Sequence, residues 1–186
     1  FSMAAERIVF PVSRLVVDPE RFPDDAVEPM AQKGMGATYT KLSSGEPLRR
    51  LTLDDRATLM SAYYYPHHAK LSAAVKAALD EHGHCLIVDV HSFGSVPLPH
   101  EPDQSVNRPE ICIGFDAFHS PFGSDAEILE TCRAHGFVAG INAPFSGSIV
   151  PDEFWNSDKR VRSFMIEVRR DLYMNEQTGG KNVGFT

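Results

Sequence analysis

Short Val- and Ile-rich runs alternating with capped helical segments constrain this chain more than any other feature of its sequence. Runs of strand length fall at 7–10, 12–18, 85–91, 111–115, 137–142 and 164–168. Between them, Thr52-Leu-Asp-Asp55 can cap a helix reaching Tyr65. Pro66 can open a second helix, with Leu71, Val75, Ala78 and Leu79 along one face and Gly83 as its stop. Ser124-Asp-Ala-Glu127 reads as a capping box for a helix carrying Ile128, Leu129 and Cys132 and closed by Gly136. Several runs are apolar on both faces, as central strands are. The alternation predicts an α/β domain whose largely parallel central sheet carries helices on both faces, with ligands gathering at the carboxyl ends of the strands.

Length and composition narrow the classes. A chain of 186 residues with 42% hydrophobic and 23% charged residues suits one globular domain, expected to span 1–186. The net charge of −7 comes from scattered acidic residues, so neither a nucleic-acid surface nor a polybasic membrane patch is expected. Three cysteines, far apart and odd in number, read as reduced core residues rather than a disulfide framework or a CxxC metal site. No apolar run approaches the roughly 18 to 20 residues that span a bilayer, and residues 1–13 lack a signal-peptide pattern, so the expected location is cytoplasmic. The long irregular stretch 94–110 reads as a functional or mobile loop.

Chemistry concentrates at a few positions. In Cys85-Leu-Ile-Val-Asp-Val-His-Ser92 a period of two places Cys85, Ile87, Asp89 and His91 on one face, with His91 at the strand exit. His91 is either a metal ligand oriented by Asp89 or a polar strand end. In Ser163-Phe-Met-Ile-Glu-Val-Arg-Arg170, Met165, Glu167 and Arg169 share a face. A carboxylate among core residues needs a partner, so Glu167 is either a general base near a metal or half of an internal pair with Arg169 or Arg170. Arg14 and Arg21 suit bidentate carboxylate recognition, or pair internally with Asp18 or Asp24. His68 points inward from the Pro66 helix and His67 outward. Asn142, after another strand, can offer an amide at the same sheet edge or simply make a turn. The remaining histidines, 82, 84, 100, 119 and 135, lie in polar contexts and read as surface residues. No phosphate-binding, dinucleotide-binding or nucleophile-elbow motif occurs. A histidine, a glutamate and arginines at strand ends fit metal-assisted hydrolysis of an anionic substrate.

Pro11-Val-Ser-Arg-Leu-Val-Val-Asp-Pro-Glu-Arg-Phe22, Tyr65-Pro-His-His68, Val88-Asp-Val-His-Ser92, Glu110-Ile-Cys-Ile-Gly114, Asn142-Ala-Pro-Phe-Ser-Gly147 and Ile166-Glu-Val-Arg-Arg-Asp-Leu-Tyr-Met174, in this order, resemble the N-formylglutamate amidohydrolase family. The resemblance implies a mixed α/β sheet like that of the zinc carboxypeptidases, in the phosphorylase/hydrolase-like class. It further implies one Zn2+ ion and hydrolysis of N-formyl-L-glutamate, or a related small anionic N-acyl amino acid, to formate and glutamate in histidine breakdown. By the same resemblance His91 is a zinc ligand, Glu167 the general base, and Arg14, Arg21, Asn142 and His68 substrate-side residues.

The family ordinarily carries an early Pro-His-Ser-Gly segment followed by an acidic residue, which supply the other zinc ligands, and 1–12 contain no such segment. Those ligands are therefore expected upstream of Phe1. The alternative expectation is a metal-free homologue that binds an anionic small molecule without catalysis.

Overall fold

The computed structural model describes residues 5–183. The opening residues 1–4, on which the expectation about an upstream segment touches, lie outside them. The chain divides into two compact units, 1–81 and 82–186, with the division in the last turn of a helix.

In the first unit the segments 7–10 and 12–18 form no strands. Ser13 explains the second: its hydroxyl accepts the Leu15 N–H at 3.2 Å and its carbonyl accepts the Val16 N–H at 2.8 Å, so the backbone turns where apolar composition predicts extension. Val17 points inward from this turn and packs with Ala37, Met60 and Tyr64, flanked by Phe10, Val16, Leu59 and Tyr63. A short 3-10 turn at Ala31–Lys33 ends on Gly34 in the left-handed region, φ 74°.

Helix α1 (Leu53–Leu59) starts at Thr52, where Thr52 and Asp55 form a reciprocal capping box. The chain then passes through a π turn, Met60–Tyr64, directly into α2 (Tyr65–His82) rather than starting afresh at Pro66. Proline has no N–H to give and its ring crowds the carbonyl four residues earlier. Widening the turn, with Tyr65 N–H reaching back to Met60 O, lets the helix continue through it. Leu71 and Val75 are the buried residues of α2, and Gly83 stops it at φ 74°.

The second unit holds a four-stranded sheet of order β1-β4-β2-β3, formed by β1 (Cys85–Phe93), β2 (Ile111–Gly114), β3 (Ala139–Ile141) and β4 (Val161–Arg169). β1 pairs β4 and β2 pairs β3 in parallel, whereas β2 runs antiparallel to β4, so the sheet is mixed and mostly parallel. β4 buries Val161, Ser163, Met165 and Glu167 on one face. β1 is an edge rather than a central strand among the described residues, and its other face leaves Leu86 and Val90 exposed. Between β2 and β3 lies helix α3 (Asp125–Ala134), opened by Ser124, whose side chain accepts the Glu127 N–H. No helix among the described residues is long and apolar enough to cross a membrane.

Stretch 94–110 is irregular, as its prolines predict, and is organised around a buried ion pair. Arg108 reaches Glu101 and donates to Gly94 O at 2.8 Å, with its guanidinium over the rings of Phe93 and Phe145. His119, expected at the surface, is instead fully buried. Its Nδ1 lies 2.7 Å from Val161 O and its Nε2 accepts the Asn156 N–H at 3.0 Å, which fixes a neutral tautomer bridging β4 to the turn beside Trp155. Its polar neighbours in the sequence misled because a histidine satisfied at both nitrogens buries readily.

Candidate active site

The strand register builds the chemical face of the second unit. His91 pairs with Glu167 across β1 and β4, Glu167 with Cys112 across β4 and β2, and Cys112 with Gly140 across β2 and β3. Paired residues project to the same side of a sheet, so His91, Glu167 and Cys112 stand in one row on one face, about 4.8 Å apart strand to strand. Asp89, two residues before His91, shares that side. His91 Nε2 lies 2.8 Å from Asp89 Oδ1, both side chains being mostly buried, while Asp89 Oδ2 receives the Ile149 N–H at 3.4 Å.

Neither arginine proposed as an internal partner of Glu167 is directed there. Arg169 bonds Asp171 at 2.8 Å and Arg108 O at 2.6 Å, and Arg170 bonds Ser92 through its carbonyl and hydroxyl. Glu167 keeps only 8% of its surface exposed. Burial pushes the thiol of Cys112 up and the Glu167 carboxylate adds to this, while backbone hydrogen bonding at Phe145 and Ala143 and the charge of Arg108 oppose it. The segment after β3 covers part of this face, since Cys112 donates to Phe145 O at 3.2 Å and Ser163 to Ile149 O at 2.8 Å.

Of the two alternatives for Asn142, the structure shows the turn. Because β2 and β3 run against β4, the chain leaves β3 away from the end at which β1 and β4 finish. Asn142 is exposed, at φ 52°, with its Oδ1 accepting the Phe115 N–H and its own N–H donating to Ile113 O, both at 2.9 Å. Those bonds tie the ends of β2 and β3 together.

The first unit gathers Arg14 and Arg21 on one fully buried carboxylate. Asp18 Oδ2 lies 3.0 Å from Arg14 Nη2, 3.5 Å from Arg21 Nε and 2.7 Å from the Tyr39 hydroxyl, which donates to it. Asp18 Oδ1 accepts the Glu20 N–H at 3.1 Å. Burial disfavours the charge of Arg14, but the Asp18 carboxylate outweighs it and the guanidinium pKa is raised. Burial, with the Asp18 charge behind it, pushes the Tyr39 phenol up to about 12. Arg21 also sits 4.0 Å from Glu28. His68 Nε2 lies 2.9 Å from Pro19 O, which requires the proton on that nitrogen, and its ring stacks on Tyr64. His67, expected outside, is half-buried with its ring edge on Phe10.

Asp18 was legible as a candidate partner of the arginines. Tyr39, in Gly-Ala-Thr-Tyr-Thr, carries no chemical signature in sequence; only the fold brings its hydroxyl to Asp18.

The profile of the N-formylglutamate amidohydrolase family matches residues 1–174. The chain belongs to that family. Among solved structures, the N-formylglutamate amidohydrolase from Ralstonia eutropha has a TM-score of 0.73 to it at 23% identity, covering 92% of this chain and 68% of that one. A gene product of Agrobacterium tumefaciens has a TM-score of 0.60, also at 23% identity, covering 88% of this chain and 60% of that one. At such identity these likenesses show a shared fold. No curated protein matches the chain.

Proposed function

We propose that this member of the N-formylglutamate amidohydrolase family is a zinc-dependent amide hydrolase that cleaves N-formyl-L-glutamate, or a closely related N-acyl amino acid, to formate and glutamate. The observation that carries the reading is the cross-strand pairing of His91 with Glu167 beside Asp89. The donor chemistry fits a metal: imidazole nitrogen and carboxylate oxygen are both zinc donors, and here they converge on one side of the sheet. His91 and Asp89 would supply two of the roughly three protein donors of a catalytic zinc.

When bound, zinc supplies Lewis acidity toward the amide carbonyl and acidifies a water molecule. Glu167 is assigned as general base: its carboxylate takes a proton from the attacking water and returns it to the departing nitrogen, so the C–N bond breaks as formate and an amine leave. Its burial favours this role by weakening the solvation of the carboxylate. Arg14 and Arg21 are assigned to the carboxylates of the substrate, with His68 holding the Pro19 carbonyl in the segment between them. In this proposal residues 1–186 act as one catalytic domain of cytoplasmic metabolism, in histidine catabolism.

The test uses full-length protein loaded with zinc and then freed of excess metal. Stoichiometric zinc by elemental analysis, together with formate release from N-formyl-L-glutamate, is expected. Protein that binds no zinc yet still binds the substrate would instead establish the metal-free binding homologue.

A further inference from the structure

Asp18 is among the few fully buried charged residues, and it carries more cation than a structural ion pair needs. Three groups converge on its Oδ2: Arg14, Arg21 and the Tyr39 hydroxyl. The backbone is already tied down without them, because Asp18 N–H donates to Ala37 O at 2.8 Å and Glu20 N–H closes onto Asp18 Oδ1. One arginine would neutralise the carboxylate. The second also faces Glu28, whose carboxylate lies 4.0 Å from Arg21 Nη1, at the limit of ion-pair distance.

The two guanidiniums also retain unused donors. Arg14 spends Nη2 on Asp18 while its side chain is 48% exposed. Arg21 is 25% exposed, lies at ion-pair distances from Asp18 and Glu28, and its buried Nε makes no hydrogen bond among the described residues. A buried guanidinium N–H without an acceptor is costly, and an entering carboxylate would supply acceptors to the pair. Tyr39 is 5% exposed, and its hydroxyl fixes which way the Asp18 carboxylate faces.

We propose that Asp18 and Tyr39 are positioning residues, the hydroxyl of Tyr39 locking the Asp18 carboxylate so that Arg14 and Arg21 are presented as a paired fork for a carboxylate of the substrate. The proposal rests on the substrate class assigned above and adds how its recognition is preorganised. Removing the lock loosens the fork in the free protein, so the loss falls on ligand binding and leaves the chemical step unchanged.

The probe is N-formyl-L-glutamate, titrated calorimetrically into full-length protein carrying Glu167→Gln so that the ligand is not consumed. Tyr39→Phe keeps the ring and deletes one hydroxyl, and is expected to raise Kd about five- to tenfold, the scale of one hydrogen bond. In otherwise unmodified protein KM rises by the same factor with kcat unchanged, a split that a general loss of packing does not produce. Asp18→Asn discriminates further. A carboxylate that only neutralises the arginines would, once removed, leave anion binding tighter; one that positions them leaves it looser, and looser binding is expected. Unchanged or tighter binding in either variant overturns the proposal, as does a parent protein that binds neither N-formyl-L-glutamate nor L-glutamate. Binding without any turnover in the parent refutes the hydrolytic reading and leaves this inference standing.

Discussion

Tyr39 makes the stability of the first unit sensitive to alkali. Its folded pKa of about 12 lies above the ordinary phenol value of 10.0, so the folded state holds its proton more tightly than the unfolded chain. That contribution is complete below pH 10 and is lost as pH rises toward 12. Urea midpoints measured across this window should fall, with tyrosinate absorbance rising in step, and Tyr39→Phe should flatten the dependence. Asp158 shows the opposite sign: held down to about 2, chiefly by hydrogen bonds from Arg160, its contribution is present above pH 3.8 and lost as pH falls toward 2. His119 is fully buried in the second unit and bonded at both ring nitrogens. Replacing it with Phe leaves Val161 O and the Asn156 N–H without partners, at about 1–3 kcal/mol for each buried group. A denaturation midpoint unchanged in His119→Phe would remove that assignment.

Elements explain why the shared face of Asp89 with His91, and the inward face of Glu167, could be read before the fold was seen. The period of two in β1 and β4 places Asp89, His91 and Glu167 by alternation alone, and that alternation survives in the structure. What no single segment reveals is the register between strands, and it is the register that pairs His91 with Glu167. The reversed direction of β2 and β3 was equally hidden, which is why Asn142 is not at the sheet edge its sequence context suggests. Apolar composition misplaced the first two strands because local hydrogen bonds from Ser13 compete with extension, and it hid the π turn, whose cause is the backbone chemistry of Pro66. Close backbone approach sets another limit. A Cβ on Gly114 would stand 2.5 Å from Met165 Cε and 2.6 Å from Gly147 O, and the carbonyl cannot swing aside as a side chain can. Gly114→Ala is therefore expected to cost about 1–3 kcal/mol by overpacking, read from chemical denaturation, and a neutral substitution would show that the segment at Gly147 is free to move.

Across the whole molecule, two features link stability to function. Arg108 and Glu101 bury opposite charges and hold stretch 94–110 against Phe93, the last residue of the strand that carries His91. Removing one partner strands the other: Glu101→Gln or Arg108→Met should each destabilise the protein by about 3–5 kcal/mol, and the double variant by less than the sum. Equal and additive losses would show that the two charges do not act as a pair. The proposed zinc binding would be linked in the same way. If zinc binds only folded protein, saturating zinc raises the melting temperature and a chelator lowers it, and His91→Ala abolishes the difference.

The account turns on His91 and Glu167 working from one side of one sheet. Formate release from N-formyl-L-glutamate by zinc-loaded, full-length Glu167→Gln protein tests it most directly. Turnover is expected to fall by about 10²–10⁴-fold with zinc content and melting temperature retained. Turnover equal to that of the unmodified protein would contradict it.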